Sequence, residues 1–273
     1  MKILAATDLS ERSDRALARA FQLAGASGAR LSVVHVLDED LPDAVADPMQ
    51  ASTVETQTRL CDALADGQEC DFACLRGDPV ETLLREADTA DLLVMGAHRP
   101  RKFLDMLRET TMSRIVRHTR TPVLLVTGEA DGAYSRILAA TDFSPASVAA
   151  MRTARRWVPG ARITPVHALE IPYTGHLSRN SDTMATLEAA FRKDVAAEAD
   201  AWEEALDPDP ARDGVEVVTG SPLRVINEAV QRDGADLVAV GAHGRVGGGP
   251  ALLGSLATDL IRTPPCDVLV ARP

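Results

Sequence analysis

Short runs rich in Val, Ile and Leu alternate along the chain with longer stretches in which apolar residues recur at helical spacing. The runs are apolar at successive positions, so both faces of each strand are expected to be covered. Strands that alternate with helices in this way build parallel sheets joined by helical crossovers. In the C-terminal half the pattern predicts strands at Ile137 to Thr141, Ile163 to Leu169, Val215 to Thr219, Asp236 to Gly241 and Asp267 to Ala271. Helices fill the gaps. Ser144 is placed to cap the first, with Pro145 in its first turn, and Ser221-Pro222 repeats that signal before a helix ending near Val230. Ser181 to Leu206 reads as one amphipathic helix, and Tyr173 to Asn180 as a loop over the pocket or against a partner.

The pattern occurs twice. ILAATDLS (Ile3 to Ser10) matches ILAATDFS (Ile137 to Ser144) at seven of eight positions, 134 residues apart (137 minus 3). LSVVHVLD (Leu31 to Asp38) matches ITPVHALE (Ile163 to Glu170), ADLLVMGAH (Ala90 to His98) matches ADLVAVGAH (Ala235 to His243), and PVLLV at Pro122 matches CDVLV at Cys266. Each half is therefore expected to be a complete unit, residues 1–130 and 131–273, with the boundary in the polar stretch Thr127 to Ser135.

Composition narrows the partners. The net charge of -11 repels phosphate backbones and anionic membranes, so nucleic acid is not the expected partner. A bound anion must then be held by local backbone dipoles. No apolar run reaches the length of a membrane span, and the apolar stretch Ile3 to Ala6 is too short for a signal-peptide core, so a cytoplasmic protein is expected. Cys61, Cys70, Cys74 and Cys266 form no C-x-x-C pair and read as ordinary thiols, not as metal ligands or disulfides. Trp157, Trp202 and the two tyrosines are too scattered for a base-stacking platform.

Open parallel sheets bind ligands at the carboxyl ends of their strands. That places Asp142 and the loop Gly241 to Ser255 (GAHGRVGGGPALLGS) at the centre of interest. Glycines let the backbone approach a phosphate, and the following helix presents free N–H groups and a positive dipole end. Gly247, Gly248 and Gly249 make the middle of the loop free to close over a ligand. His243 lies in the loop, and His98 occupies its place in the other half, which favours a loop-shaping hydrogen bond over acid–base catalysis. His35 and His167 lie in apolar strands and read as satisfied core residues.

Gly241, Gly244, Gly254 and Ser255 complete the pattern G-x2-G-x9-G-(S/T), and with A-T-D-F-S and V-H the chain resembles the universal stress proteins along nearly its whole length, twice. The resemblance implies an α/β, Rossmann-like fold: two tandem open five-stranded parallel sheets of order 3-2-1-4-5, with helices on both faces. It also implies a regulatory, ATP-binding activity. Asp142 would contact the ribose or adenine edge, Ala140 and Thr141 would line the base pocket, and Gly241 would contact the ribose. Gly244, Gly254 and Ser255 would hold the phosphates. Ala168 stands where ATP-binding members often carry Val against the base. The expected nucleotide site is Ala140, Thr141, Asp142, Ala168, Val240, Gly241, His243, Gly244, Gly254, Ser255 and Leu256. ATP, with Mg2+, is the expected ligand; AMP and ADP remain open.

The first half departs from the pattern. After Gly96-Ala97-His98, Arg99 replaces the second glycine and Glu109-Thr110 replace Gly-Ser. A carboxylate about 4 Å from a phosphate charge costs on the order of 4 kcal/mol at an effective dielectric near 20. A triphosphate is therefore not expected there, and Arg99, Arg101 and Lys102 are expected to pair with Glu109 or Asp105. Asp8 remains, as a turn residue at least.

No lysine follows a glycine, so there is no Walker A loop; G-x-G-x-x-G and S-G-G-x-D-S are absent too. A binding module is expected over an enzyme, with weak ATP hydrolysis or adenylyl transfer as the alternative. A ligand-free pair of structural domains is the third reading, which the intact loop disfavours. Family members usually pair through the fifth strand, which implies PVLLV and CDVLV edge to edge within the chain; a homodimer is left open.

Overall fold

The computed structural model describes residues 1–64, 68, 70–97, 110–171, 181–244 and 253–273. The N-terminal half runs β1 (Lys2–Thr7), α1 (Glu11–Ser27), β2 (Arg30–Leu37), α2 (Asp43–Leu64), β3 (Cys70–Arg76), α3 (Pro79–Ala87), β4 (Leu92–Gly96), α4 (Thr111–His118) and β5 (Val123–Val126). The C-terminal half repeats it as β6 (Arg136–Ala140), α5 (Pro145–Trp157), β7 (Arg162–Leu169), α6 (Ser181–Glu204), β8 (Glu216–Thr219), α7 (Pro222–Asp233), β9 (Leu237–Gly241), α8 (Ser255–Arg262) and β10 (Asp267–Ala271). Tyr173 to Asn180, Gly247 to Gly249, His98, Arg99, Arg101, Lys102, Asp105 and Glu109 lie outside the described residues.

The start of α5 follows its sequence: Ser144 caps it by accepting from the Ser147 N–H at 3.3 Å, and Pro145 opens the first turn. α7 runs past Val230 to Asp233, because the residue able to stop it is Gly234, which takes the left-handed conformation at φ 62°.

Among the described residues ten strands form one sheet, in the order β3-β2-β1-β4-β5-β10-β9-β6-β7-β8. Within each half the order is 3-2-1-4-5 and every pairing is parallel. The two five-stranded units meet edge to edge at their fifth strands, as the resemblance implies. β5 and β10 hydrogen-bond antiparallel, with Leu125 opposite Val268, Leu124 opposite Leu269 and Val123 opposite Val270. An edge strand that is fully apolar leaves unpaired N–H and C=O groups, and pairing with its own repeat satisfies them.

Alternate strand residues feed two apolar layers. Ile3, Ala5, Ile137, Leu237 and Leu269 pack with Leu17 and Phe21 of α1 and with Met151 and Trp157 of α5. Leu4, Leu93, Leu138, Val238 and Val268 pack on the other face with Leu83, Ile115, Ile226 and Leu260. Each such side chain contributes roughly 1.5–3 kcal/mol through burial, so the sheet is anchored from both sides. Among the described residues no helix is long and apolar enough to cross a membrane.

Where the halves join, a carboxylate is buried. Asp267, 4% exposed, accepts hydrogen bonds from the Thr127 N–H at 2.7 Å, the Thr127 hydroxyl at 3.0 Å and the Tyr134 hydroxyl. Arg19 of α1, 5% exposed, brings its Nε to 3.7 Å from Asp267. The same guanidinium covers the Tyr134 ring at 4.1 Å and donates to the carbonyl of Gly132. Burial, and then the Asp267 charge, pushes the Tyr134 hydroxyl well above its ordinary value. The connecting segment is thus wound around an ion pair that joins α1 of one half to β10 of the other. Just beyond β10, Arg272 donates to the carbonyl of Arg117 at 2.7 Å and that of Thr119 at 3.1 Å, a cation at the C-terminal end of α4.

Candidate functional site

β6 and β9 are neighbours, with Ala140 beside Val240, and their crossovers leave in opposite directions, so the crevice beyond their carboxyl ends is open. The turn after β6 is held by its own side chains. The Phe143 N–H donates to the Thr141 hydroxyl at 3.0 Å, and the Ser144 N–H donates to Asp142 Oδ1 at 3.1 Å. Phe143 is forced to φ 64°, a conformation that costs a residue with a Cβ roughly 1–2 kcal/mol. Stacking offsets part of that: the Phe143 ring lies 4.6 Å from the His167 ring, 16° from parallel, and meets Trp202 edge-on at 5.7 Å.

His167 bonds through Nδ1 to the Thr141 carbonyl at 2.9 Å. A carbonyl only accepts, so Nδ1 carries the proton and a neutral ring has its lone pair on Nε2. The side chain is satisfied, as the sequence implies, but it is half-buried and lines the crevice, not the core. His35 repeats this in the first half, 2.8 Å from the Thr7 carbonyl.

Opposite Asp142 the backbone comes unusually close. A Cβ on Gly244 would stand 2.8 Å from Asp142 Oδ2, and one on Gly241 would stand 2.7 Å from the Ala146 carbonyl carbon. The loop returns to the sheet at Gly254, whose N–H donates to the Ala242 carbonyl at 2.8 Å. Gly254 is also the N-cap of α8 and, having no side chain, gives no cap bond to the first amides of that helix. Those amides, with the positive end of the helix dipole, are available to an anion. Nearby, His243 Nδ1 is buried and lacks a partner among the described residues.

These pieces enclose one cavity of about 290 Å³. Ala140, Thr141, Asp142, Ala168, Val240, Gly241, His243, Gly244, Gly254, Ser255 and Leu256 all line it. Val166, His167, Pro222, Ile226, Ser147 and Ala257 line it as well and were not among the residues expected there. Pro222 could have been: its start signal places α7 at the carboxyl end of β8, on the same side of the sheet. The lining combines apolar walls, a carboxylate beside the glycines, and the start of α8 at Ser255.

The first half keeps the turn and changes the helix start. Leu9 takes φ 62°, and the Ser10 N–H donates to Asp8 Oδ1 at 3.1 Å. Burial raises the Asp8 carboxyl, but the hydrogen bonds of Ser10 and Ser13 and the charge of Arg12 outweigh it and hold the carboxyl below its ordinary value. At α4, Thr110 is the N-cap, and its hydroxyl accepts from the Ser113 N–H at 3.1 Å. The N-cap residue that has no side chain in the second half, Gly254, is matched in the first by Thr110, which caps its own helix.

The model of the universal stress protein family matches residues 1–127 and again residues 133–272. A universal stress protein of Thermus aquaticus is 32% identical over 133 residues, 45% of this chain and 96% of its own length. One of Mycolicibacterium smegmatis is 26% identical over 99% of this chain and 97% of its own. Among solved structures, a universal stress protein from Archaeoglobus fulgidus superposes with a TM-score of 0.72 at 20% identity, covering 99% of this chain and 98% of that one, a likeness of fold.

Proposed function

The chain belongs to the universal stress protein family, and from that premise we propose that its C-terminal half, residues 131–273, binds ATP and acts as a nucleotide-dependent regulatory module, one nucleotide per chain. The observation that carries this reading is the start of α8, whose N-cap is Gly254, opening on the cavity beside Asp142. Three functions are assigned along that cavity. Ala140, Thr141, Ala168 and Val240 hold the base, Asp142 and Gly241 the ribose, and His243, Gly244, Gly254, Ser255 and Leu256 the phosphates. ATP is the ligand proposed because the loop Gly241 to Ser255 completes the glycine pattern that the ATP-binding members share. Mg2+ would enter with the triphosphate, taking most of its oxygens from it and from water.

In this reading the N-terminal half, residues 1–130, binds no triphosphate, since Thr110 uses its own hydroxyl to cap α4. It serves as the sensor's built-in pairing partner through β5 and β10. The module works in the cytoplasm. The test is co-purification of partner proteins on the immobilised chain with ATP, with ADP and with neither. A set of partners that changes with the nucleotide supports the switch; an identical set in all three contradicts it.

A further inference from the structure

All four cysteines are free thiols, and two of them meet. Cys61, in the last turn of α2, and Cys70, the first residue of β3, bring their sulfurs to 3.5 Å in a thiol–thiol hydrogen bond. Among the described residues this is the one contact between cysteines. A covalent S–S bond is about 2.05 Å long, so the pair has roughly 1.5 Å left to close. Cys61 is buried, whereas Cys70 is half-buried on the outermost strand of the sheet, so a small solute approaches the pair from the Cys70 side.

The fold, not nearness in the chain, selects this pair. Cys74 is closer to Cys70 in sequence, but four steps along an extended strand separate their Cα atoms by roughly 13 Å. That exceeds the Cα separation of about 7 Å that a disulfide spans. Cys61 reaches Cys70 because α2 lies along β3: Gln50 Nε2 donates to the Cys74 carbonyl at 3.1 Å, and Arg76 donates to Asp43 at 2.9 Å. The corresponding elements of the second half, α6 and β8, contain no cysteine. The pair thus belongs to the half whose loop departs from the nucleotide pattern.

The bond between the sulfurs sets their protons apart. Accepting from Cys70 lowers the Cys61 thiol below its ordinary value, while the same bond, and then burial, raises Cys70. The first proton is lost from the pair as a whole, and the thiolate left behind has a thiol at its side. A thiolate beside a resolving thiol is the arrangement that oxidises reversibly.

We propose that Cys61 and Cys70 form a reversible oxidation site, which hydrogen peroxide converts into a disulfide tying the end of α2 to the edge strand β3. The thiolate of the pair attacks one peroxide oxygen and the O–O bond breaks, giving a sulfenic acid and a hydroxide that takes up a proton as water. The other sulfur then gives up its proton and attacks the sulfenic sulfur, and the S–O bond breaks to release a second water. Two thiols and one peroxide become one disulfide and two waters, with two electrons passing from the sulfurs to the peroxide. A dithiol reductant reverses the change by exchange.

The test treats the full folded chain with hydrogen peroxide, removes the peroxide, alkylates the remaining thiols with iodoacetamide in urea and digests with trypsin. Cleavage after Arg59 and Arg76 leaves Cys61, Cys70 and Cys74 in one peptide. That peptide is expected to carry one alkyl group, on Cys74, where the untreated chain carries three, and dithiothreitol should restore all three. Cys266 should remain alkylated. Peroxide added to the chain already unfolded in urea should lose this choice, since loop closure then favours the nearer pair, Cys70 and Cys74. Cys74→Ser should keep the disulfide and Cys70→Ser should abolish it. Should either variant fail to fold, fragmentation of the unsubstituted peptide locates the loss of two hydrogens between Cys61 and Cys70 or elsewhere. Three alkyl groups after peroxide, a disulfide through Cys74 or Cys266, or the same pairing in folded and unfolded chains overturns the proposal.

Discussion

Gly244 faces Asp142 with no space between them for a side chain: a Cβ there would stand 2.8 Å from the Asp142 Oδ2. The atom in the way is the end of a flexible side chain, so the chain can fold around a methyl group by moving Asp142. Gly244→Ala is therefore expected to weaken ATP binding by about tenfold, on the order of 1.4 kcal/mol, with little change in melting temperature. Calorimetry beside a thermal melt checks this, and unchanged affinity would mean that Asp142 does not touch the ligand.

Gly254→Glu places a carboxylate at the N-cap of α8, where the corresponding residue of the first half, Glu109, lies outside the described residues. Among the described residues its Cβ would meet nothing nearer than His243 Cα at 3.4 Å, so the fold should survive. Two effects act on the nucleotide: the carboxylate occupies the helix amides, and it repels the phosphates by on the order of 4 kcal/mol at 4 Å. ATP binding is expected to fall by more than about a hundredfold. Retained affinity would show that the phosphates lie elsewhere.

Asp267→Ala leaves Arg19 buried without its counter-charge and takes the acceptor from Thr127 and Tyr134. Removing one partner of such a pair costs about 3–5 kcal/mol. Urea unfolding should register that loss, and a change under about 1 kcal/mol would show that the network does not hold the halves together.

Cys266 is half-buried, and burial, followed by the charges of Asp267 and Asp236, pushes its thiol up to about 12 from 9.0. A shift of that size lowers the thiolate fraction at pH 8 by roughly a thousandfold. Iodoacetamide should therefore modify Cys266 in the folded protein far more slowly than in urea. Equal rates in both would contradict the burial of this strand start.

The fold was legible because the strands are apolar on both faces and the repeat shows each half twice. Ile137, Ile163 and Leu237 marked their strands by pattern alone. What the pattern could not carry is long-range contact. Arg19 and Asp267 lie at opposite ends of the chain, and no periodicity links them. The joining of β5 to β10 was implied by the family resemblance and not by the pattern, since an apolar edge reads the same whether it is paired or free. In the site, glycine spacing marked Gly241, Gly244 and Gly254, whereas His167 looked like core because a strand's alternation places a side chain on a face without telling how far along the strand that face stays covered.

The central claim is that one half of this chain, and one only, holds a triphosphate. Calorimetric titration of ATP into the full chain tests it most directly. One ATP per chain is expected, with the site abolished by Gly254→Glu. No binding, or two equivalent ATP sites per chain, would contradict it.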